Sequence, residues 1–141
     1  SEYGYVFGTA PDRLAALRAA LPVIEARLAK LNPAPVRKMP VLIGGGGEKV
    51  TLRLTAQHAT IWNFIGTPDD YKRKSAILDE WCAKLGRDPK EIERSVLMTG
   101  PNGPEQWNAY VAAGVTHLIV GLNDPWNLAL VEQLVAWRKA L

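Results

Sequence analysis

The length, composition and charge of the chain exclude several classes of protein. Its 141 residues allow one domain or a part of one, and an apolar fraction of 48% is enough for a packed core. The net charge is only +3, and the basic residues are dispersed along predicted helices, which argues against a nucleic-acid-binding surface. The single cysteine, Cys82, excludes a disulfide framework and indicates a small core residue. Without a signal peptide or an apolar run of membrane-spanning length, we expect a cytoplasmic protein with no membrane contact.

Residues 1–39 predict a loop followed by a helix. Thr9 or Asp12 is placed to cap this helix, and leucines recur at helical spacing as far as Leu31. Pro22 falls inside the pattern, where it predicts a kink or a division of the helix.

Residues 40–141 predict four successive strand–helix units. Proline opens three of the helices and glycine closes two, as is usual at helix ends. The strands are short apolar runs, typical of parallel strands covered by helices. An α/β fold of consecutive parallel βα units is therefore predicted. The predicted strands are Val41–Ile43, Thr60–Phe64, Ile92–Thr99 and Val115–Gly121, and the predicted helices are Glu48–His58, Pro68–Leu85 (capped by Thr67), Pro104–Ala113 and Pro125–Leu141 (capped by Asp124).

Four parallel βα units form either a small open sheet or half of an eight-stranded, TIM-like barrel. A full barrel takes about 250 residues, so the chain has the length of a half barrel. A half barrel would leave two strand edges unpaired and one face of the sheet uncovered. We therefore expect association with a missing N-terminal barrel half or with a second copy of the chain. Because the first residue is Ser1 and not methionine, we also expect that the chain starts inside a longer protein or after a processed tag.

Four consecutive glycines, Gly44, Gly45, Gly46 and Gly47, separate the first strand from the helix that follows. Glycine loses more backbone entropy on folding than any other residue, so the run indicates left-handed backbone angles or the close approach of another group. Free N–H groups and the helix dipole make a strand-to-helix turn suitable for an anion. The turn predicts a phosphate-binding site, with a tight packing turn as the alternative. Its spacing matches neither a P-loop nor a dinucleotide-binding fingerprint.

Further candidates follow from the rule that sites in parallel barrels lie at the carboxyl ends of the strands. Lys49 can add positive charge to an anion or be a solvated surface lysine. Trp62 can stack on a planar ring or pack at the rim, and Asn63 can hydrogen-bond a ligand or tie neighbouring loops. His58 and His117 are predicted at the opposite end of the sheet, so no catalytic residue is assigned, and no metal ligand either. The same rule places four more residues at the site rim: Thr99, Gly100, Asn102 and Asn123.

Several stretches together carry a family resemblance: Glu2–Gly4 with Phe7, Pro40–Lys49, Leu52–Leu54, Trp62–Asn63, Gly86–Pro89 with Ile92–Glu93, and Gly114–His117. They resemble the C-terminal half of the luciferase-like monooxygenase family, in particular its coenzyme F420-dependent oxidoreductases. The resemblance implies a TIM-like barrel that binds F420, or alternatively FMN, at the C-terminal ends of its strands. By that likeness the Gly44–Gly47 turn would hold phosphate or backbone parts of the cofactor.

In that family the histidine and carboxylate that act at the deazaflavin ring lie in the N-terminal half, which this sequence does not include. The resemblance therefore implies half of an F420- or flavin-dependent oxidoreductase, which supplies cofactor contacts and is inactive alone. In the whole protein the reduced cofactor would pass a hydride to a small-molecule substrate. The alternative is a stand-alone α/β module that binds a phosphorylated ligand or a partner chain without catalysis.

Overall fold

The computed structural model describes residues 4, 6–98, 103–126 and 128–141, and the chain divides into two compact units, residues 1–41 and 42–141. The first unit contains helix α1 (Ala10–Leu28). Thr9 caps this helix: its hydroxyl oxygen accepts a hydrogen bond from the N–H of Asp12, and the Asp12 carboxylate accepts one from the N–H of Thr9. Pro22 lies inside α1 but does not divide it.

The second unit alternates strands and helices as predicted: β1 (Leu42–Gly44), α2 (Thr51–His58), β2 (Ile61–Phe64), α3 (Pro68–Leu85), β3 (Glu93–Met98), α4 (Pro104–Ala112), β4 (His117–Val120) and α5 (Ala129–Lys139), with a short 3-10 helix at Pro89–Glu91. The observed bounds differ most from the predicted ones at the starts of two helices. Helix α2 begins three residues later than predicted, because residues 48–50 form a turn. Helix α5 is preceded by Leu128, so the prediction that Asp124 caps it is wrong. Of the helices in the described residues, none is both long and apolar enough to span a membrane.

The four strands form one parallel sheet in the sequential order β1-β2-β3-β4. Crossovers of one hand between consecutive neighbours place all the connecting helices on the same side of the sheet. Such an order, with helices on one side only, is the arrangement found in one half of an eight-stranded βα-barrel. The predicted fold class is therefore confirmed.

The helix-covered face of the sheet holds the hydrophobic core. Alternate strand residues, including Trp62, Phe64 and Val96, pack there against side chains from the four helices of the second unit. Cys82 is buried in this core, as expected, and burial raises the pKa of its thiol. The alternation leaves a second face, called the open face below, on which every residue except Ser95 is partly or fully exposed. The open face consists of Leu42, Gly44, Ile61, Asn63, Glu93, Ser95, Leu97, His117 and Ile119.

Arg87 stabilises the C-terminal end of α2. Its Nη1 donates to the carbonyl oxygen of Ala56 at 2.9 Å and its Nη2 to that of Ala59 at 2.7 Å. These carbonyls belong to a helix end, where intrahelical donors run out. We expect Arg87→Met to lower the free energy of unfolding by about 2 kcal/mol, measured by urea denaturation. Lys72→Met, at an exposed position of α3, is the control and should cost no more than about 0.5 kcal/mol. Equal losses in the two variants would contradict a capping role.

Candidate functional site

The glycine turn, Gly44–Gly47, is held against β2 by two hydrogen bonds. The N–H of Gly45 donates to the carbonyl oxygen of Asn63 at 2.9 Å. The indole N–H of Trp62 donates to the carbonyl oxygen of Gly45, also at 2.9 Å. Gly45 has a φ of +119°, which residues with a side chain rarely adopt. The turn is therefore anchored to β2 by hydrogen bonds within the chain itself.

Internal structure explains three of the four glycines. Gly45 needs its positive φ; a Cβ on Gly46 would lie 2.5 Å from Cε2 of Phe64, and a Cβ on Gly47 would lie 2.7 Å from Oγ1 of Thr51. Gly44 is different, because a Cβ there would come no closer than 3.9 Å to the nearest atom and its φ is not positive. The absence of a side chain at Gly44 leaves a bare patch of the open face where the turn begins. The tight-turn hypothesis thus accounts for residues 45–47, whereas Gly44 favours the close approach of another group.

The backbone amides in the second half of the glycine turn and directly after it are available to a ligand. Within the described part of the chain, no group accepts a hydrogen bond from the N–H groups of residues 46–50. These residues are exposed or half-buried, and α2 begins directly after them. Unpaired N–H groups at the start of a helix favour an anion.

Two cations from α3 reach the turn. The carboxylate of Glu48 accepts hydrogen bonds from Nζ of Lys74 at 2.6 Å and from Nη1 of Arg73 at 2.7 Å. The hydrogen bond from Lys74, together with that from Arg73, lowers the pKa of Glu48 to about 2. Cε of Lys74 also lies 3.6 Å from where a Cβ on Gly46 would be. The negative charge that would oppose an anion is therefore neutralised. Lys49, predicted to supply the positive charge, is exposed and forms no ion pair with a described residue.

The ion pairs of Glu48 make the stability of the chain depend on pH. Because its pKa is about 2 in the folded chain and near its ordinary value of 4.5 in the unfolded chain, their contribution is present above pH 4.5 and is lost as the pH falls towards 2. We expect Glu48→Gln to show a smaller fall in thermal midpoint than the wild type between about pH 5 and pH 3. Glu80→Gln, on the exposed surface of α3, should keep the wild-type pH profile. Parallel profiles for the wild type and Glu48→Gln would show that these ion pairs contribute nothing to the pH dependence of stability.

Of the two roles predicted for Trp62, the structure shows packing, although the side chain lies in the core and not at the rim. Its side chain is fully buried on the helix-covered face, with ring centroids 4.9 Å from Tyr71 and 5.6 Å from Phe64. Side chains alternate along a strand, so Trp62 points towards the helices and Asn63 towards the open face. Stacking of Trp62 on a cofactor ring is excluded in this conformation. Its contribution to the site is indirect, through the hydrogen bond to Gly45.

A row of four residues crosses the open face beside the turn. The strand register pairs Gly44 with Asn63, Asn63 with Ser95, and Ser95 with His117. Nδ2 of Asn63 donates to Oγ of Ser95 at 2.9 Å, and Oγ of Ser95 donates to the carbonyl oxygen of Trp62 at 3.0 Å. Asn63 therefore both ties neighbouring strands and faces the side on which Gly44 leaves space.

His117 belongs to this row although it is the first residue of β4. The strands are staggered, so the register brings the start of β4 level with the middle of β3 and the end of β1. Nδ1 of His117 lies 3.0 Å from Oε1 of Glu93 on the same face. The position of His117 within its strand predicted a location away from the candidate site, whereas its register places it two strands from Asn63. His58 lies at the end of α2, as predicted.

The remaining predicted rim residues add little to the description of the candidate site. Asn123 follows β4 as expected and is exposed. The described residues contain no group of three or more His, Cys, Asp or Glu side chains that could hold a metal ion. Three other rim candidates lie outside the described residues: Thr99, Gly100 and Asn102.

Sequence reasoning missed the residues that support the turn from a distance. Lys74 and Arg73 were part of a dispersed basic surface, and no local pattern distinguishes them from the other basic residues of the helices. Ser95 offers a weak signal, since a small hydroxyl side chain stands directly before the apolar run Val96–Met98 of the strand.

Among solved structures, the chain is similar to the coenzyme F420-dependent tetrahydromethanopterin reductase from Methanopyrus kandleri. The two are 12% identical, and the match covers 57% of this chain and 44% of that chain, with a TM-score of 0.48. The chain therefore spans less than half the length of this reductase. No family model and no curated protein sequence matches the chain. The function is consequently inferred from the site geometry.

Proposed function

We propose that this chain is one half of an F420- or flavin-dependent oxidoreductase and that it binds the phosphate-bearing part of the cofactor. The observation that carries the proposal is Gly44, whose missing side chain is not required by packing. Along the chain, Gly44 is followed by the free amides of residues 46–50, and the cations Lys74 and Arg73 contact Glu48 within that segment. Amide donors and cations together fit a phosphate group. The likeness to luciferase-like sequences favours F420, with FMN as the alternative.

Each part of the site has a separate role in this proposal. The amides of residues 46–50 donate to phosphate oxygens, and Lys74 and Arg73 add positive charge while they neutralise Glu48. Lys49, which is exposed, contributes a further charge once an anion is present. Trp62 and Asn63 hold the turn in shape through Gly45. The cofactor supplies the hydride chemistry when bound, and the chain supplies its orientation.

Catalysis needs a cover over the open face. Strands β1 and β4 each have a single neighbour in the described sheet, and the apolar side chains of the open face, such as Leu42 and Ile119, are exposed or half-buried. Unpaired strand edges and bare apolar faces are normally covered in native proteins. We propose that the remaining barrel half or a second copy of the chain covers this face, and that the small-molecule substrate binds only in that assembly. The chain alone is then inactive.

A second candidate function uses the same anion site without catalysis. The amides and cations at the turn would equally hold a phosphorylated ligand, or an anionic group of a partner chain, on a stand-alone α/β module. This alternative predicts binding by the phosphate alone, with no preference for a flavin or deazaflavin ring.

The test is a titration of the labelled chain with F420, FMN and inorganic phosphate, followed by amide NMR. We expect F420 or FMN to shift the amide signals of residues 46–50 more than inorganic phosphate does. Gly44→Val should weaken cofactor binding at least tenfold without a loss of stability, because valine suits a strand and its Cβ would lie 3.9 Å from the nearest atom, the carbonyl oxygen of Asn63. Gly121→Val, at an open glycine after β4, is the matched control and should bind like the wild type.

The outcomes separate the two functions. Equal responses to inorganic phosphate and to both cofactors would favour the binding module. No shift of amides 46–50 with any of the three ligands would overturn both functions. Unchanged cofactor affinity in Gly44→Val would overturn the role given to Gly44.

A further inference from the structure

Ser95 is the fully buried member of the open face, and its hydroxyl connects two neighbouring residues of β2. Its Oγ donates to the carbonyl oxygen of Trp62 at 3.0 Å and accepts from Nδ2 of Asn63 at 2.9 Å. Buried hydroxyls are normally hydrogen-bonded, so the donor bond alone would satisfy Ser95. The additional bond to Asn63 is therefore informative about the orientation of the asparagine side chain.

The number of protons on the serine hydroxyl determines which end of the Asn63 amide faces Ser95. A serine hydroxyl has one proton and two acceptor positions. Because that proton is donated to the carbonyl oxygen of Trp62, Oγ can only accept from Asn63. The NH₂ group of Asn63 must then face Ser95, and its Oδ1 must face away from it. In the described part of the chain, Oδ1 accepts no hydrogen bond.

Asn63, which carries the free Oδ1, lies next to the start of the glycine turn. Asn63 is the register neighbour of Gly44, and the bare patch at Gly44 leads directly from the turn to the Asn63 side chain. Apolar open-face residues, Ile61 on the same strand and Leu97 on β3, lie on either side of the row that contains Asn63. A ligand held by its phosphate at the turn can therefore lay a planar apolar part over this row, where it meets the acceptor Oδ1 of Asn63 beside the one amide N–H that Ser95 does not use.

We infer that Ser95 is a positioning residue that makes Asn63 present its oxygen, and thereby selects ligands whose planar part carries a ring N–H donor. This inference rests on the proposed function, since the phosphate at the turn brings the ring to Asn63. A flavin or deazaflavin ring carries such a donor in its imide N–H. A ring with an acceptor or a methyl group at that position leaves Oδ1 of Asn63 desolvated and unpaired, which weakens binding.

The experiment compares FMN with N3-methyl FMN, in which the imide proton is replaced by a methyl group. We expect the wild-type chain to bind FMN about tenfold more tightly than N3-methyl FMN, measured by fluorescence titration. In Asn63→Ala the two ligands should bind with equal affinity, which would show that the methyl group does not merely clash with another part of the site. In Ser95→Ala the preference should fall to about threefold or less, because the amide of Asn63 can then rotate.

If Ser95 has only a structural role, Ser95→Ala would weaken the binding of both flavins equally and leave the ratio of their affinities unchanged. Ser95→Thr keeps the hydroxyl and should restore the preference. If the Ser95 variants do not fold, the comparison of wild type with Asn63→Ala still decides whether Oδ1 accepts a hydrogen bond from the ring N–H.

Failure of this inference can be distinguished from failure of the proposed function. If FMN shifts amides 46–50 but the wild type binds both flavins equally, the inference is overturned and the proposed function stands. If inorganic phosphate shifts those amides and FMN binds no better, the inference is overturned and only an anion site remains. If F420 shifts those amides but FMN does not bind, the inference is overturned for FMN and the proposed function stands. If F420, FMN and inorganic phosphate all leave them unshifted, both are overturned.

Discussion

Trp62→Ala is expected to lower the free energy of unfolding by about 3–5 kcal/mol, the largest effect of any substitution considered. The indole is fully buried between the sheet and the helices, in contact with Tyr71 and Phe64, and the Cζ of Arg94 lies 5.7 Å from its ring centroid. Alanine would leave a large cavity that a packed core refills only partly. The measurement is urea denaturation followed by circular dichroism.

Two further variants separate the causes of that loss. Trp62→Phe keeps most of the ring volume but removes the hydrogen bond to the carbonyl oxygen of Gly45, and we expect a loss of about 1–2 kcal/mol. Trp126→Ala is the matched control, since the side chain of Trp126 is 66% exposed, and it should cost no more than about 0.5 kcal/mol. Similar losses for Trp62→Ala and Trp126→Ala would contradict the assignment of Trp62 to the core.

Gly46→Ala is expected to cost about 1–3 kcal/mol, through overpacking of the core. Its Cβ would lie 2.5 Å from Cε2 and 3.1 Å from Cδ2 of Phe64, so the ring would have to move. Phe64 packs against both Trp62 and Tyr71, which restricts that movement. Thermal and urea unfolding of the purified variant measure the loss.

Gly44→Ala is the matched control within the same turn. Its Cβ meets nothing closer than 3.9 Å, and alanine loses less backbone entropy than glycine, so stability should be unchanged or slightly higher. A cost at Gly44 as large as that at Gly46 would show that packing explains all four glycines. The proposed ligand contact at Gly44 would then lose its support.

Secondary structure was predicted well where its signals are local. Helix α3 has the predicted bounds, because Thr67 accepts from the N–H of Asp70 at one end and Gly86 adopts a φ of +66° at the other. The start of α2 was not predictable in this way. Residues 48–50 form a turn whose Glu48 carbonyl accepts a hydrogen bond from Nε1 of Trp81 at 2.8 Å, a residue 33 positions away.

The candidate site was predicted in part for the same reason. The four glycines are visible in the sequence, and their position after an apolar strand indicated a turn at the site end of the sheet. Alternation along a strand implied that Trp62 and Asn63 face opposite sides, but not which of them faces the helices. Only the packing of Phe64 on Gly46 distinguishes a glycine required by the core from one that leaves space for a ligand.

The sequence by itself determined the order of the βα units, most helix ends and the location of the glycine turn, because these depend on residues a few positions apart. The tertiary structure decided which face of the sheet is covered, the register that aligns Gly44, Asn63, Ser95 and His117, and the approach of Lys74 to Glu48. These features join residues 17 or more positions apart, such as Gly45 with Trp62 and Glu48 with Lys74. Such contacts form only when separate elements pack together, so no local pattern encodes them.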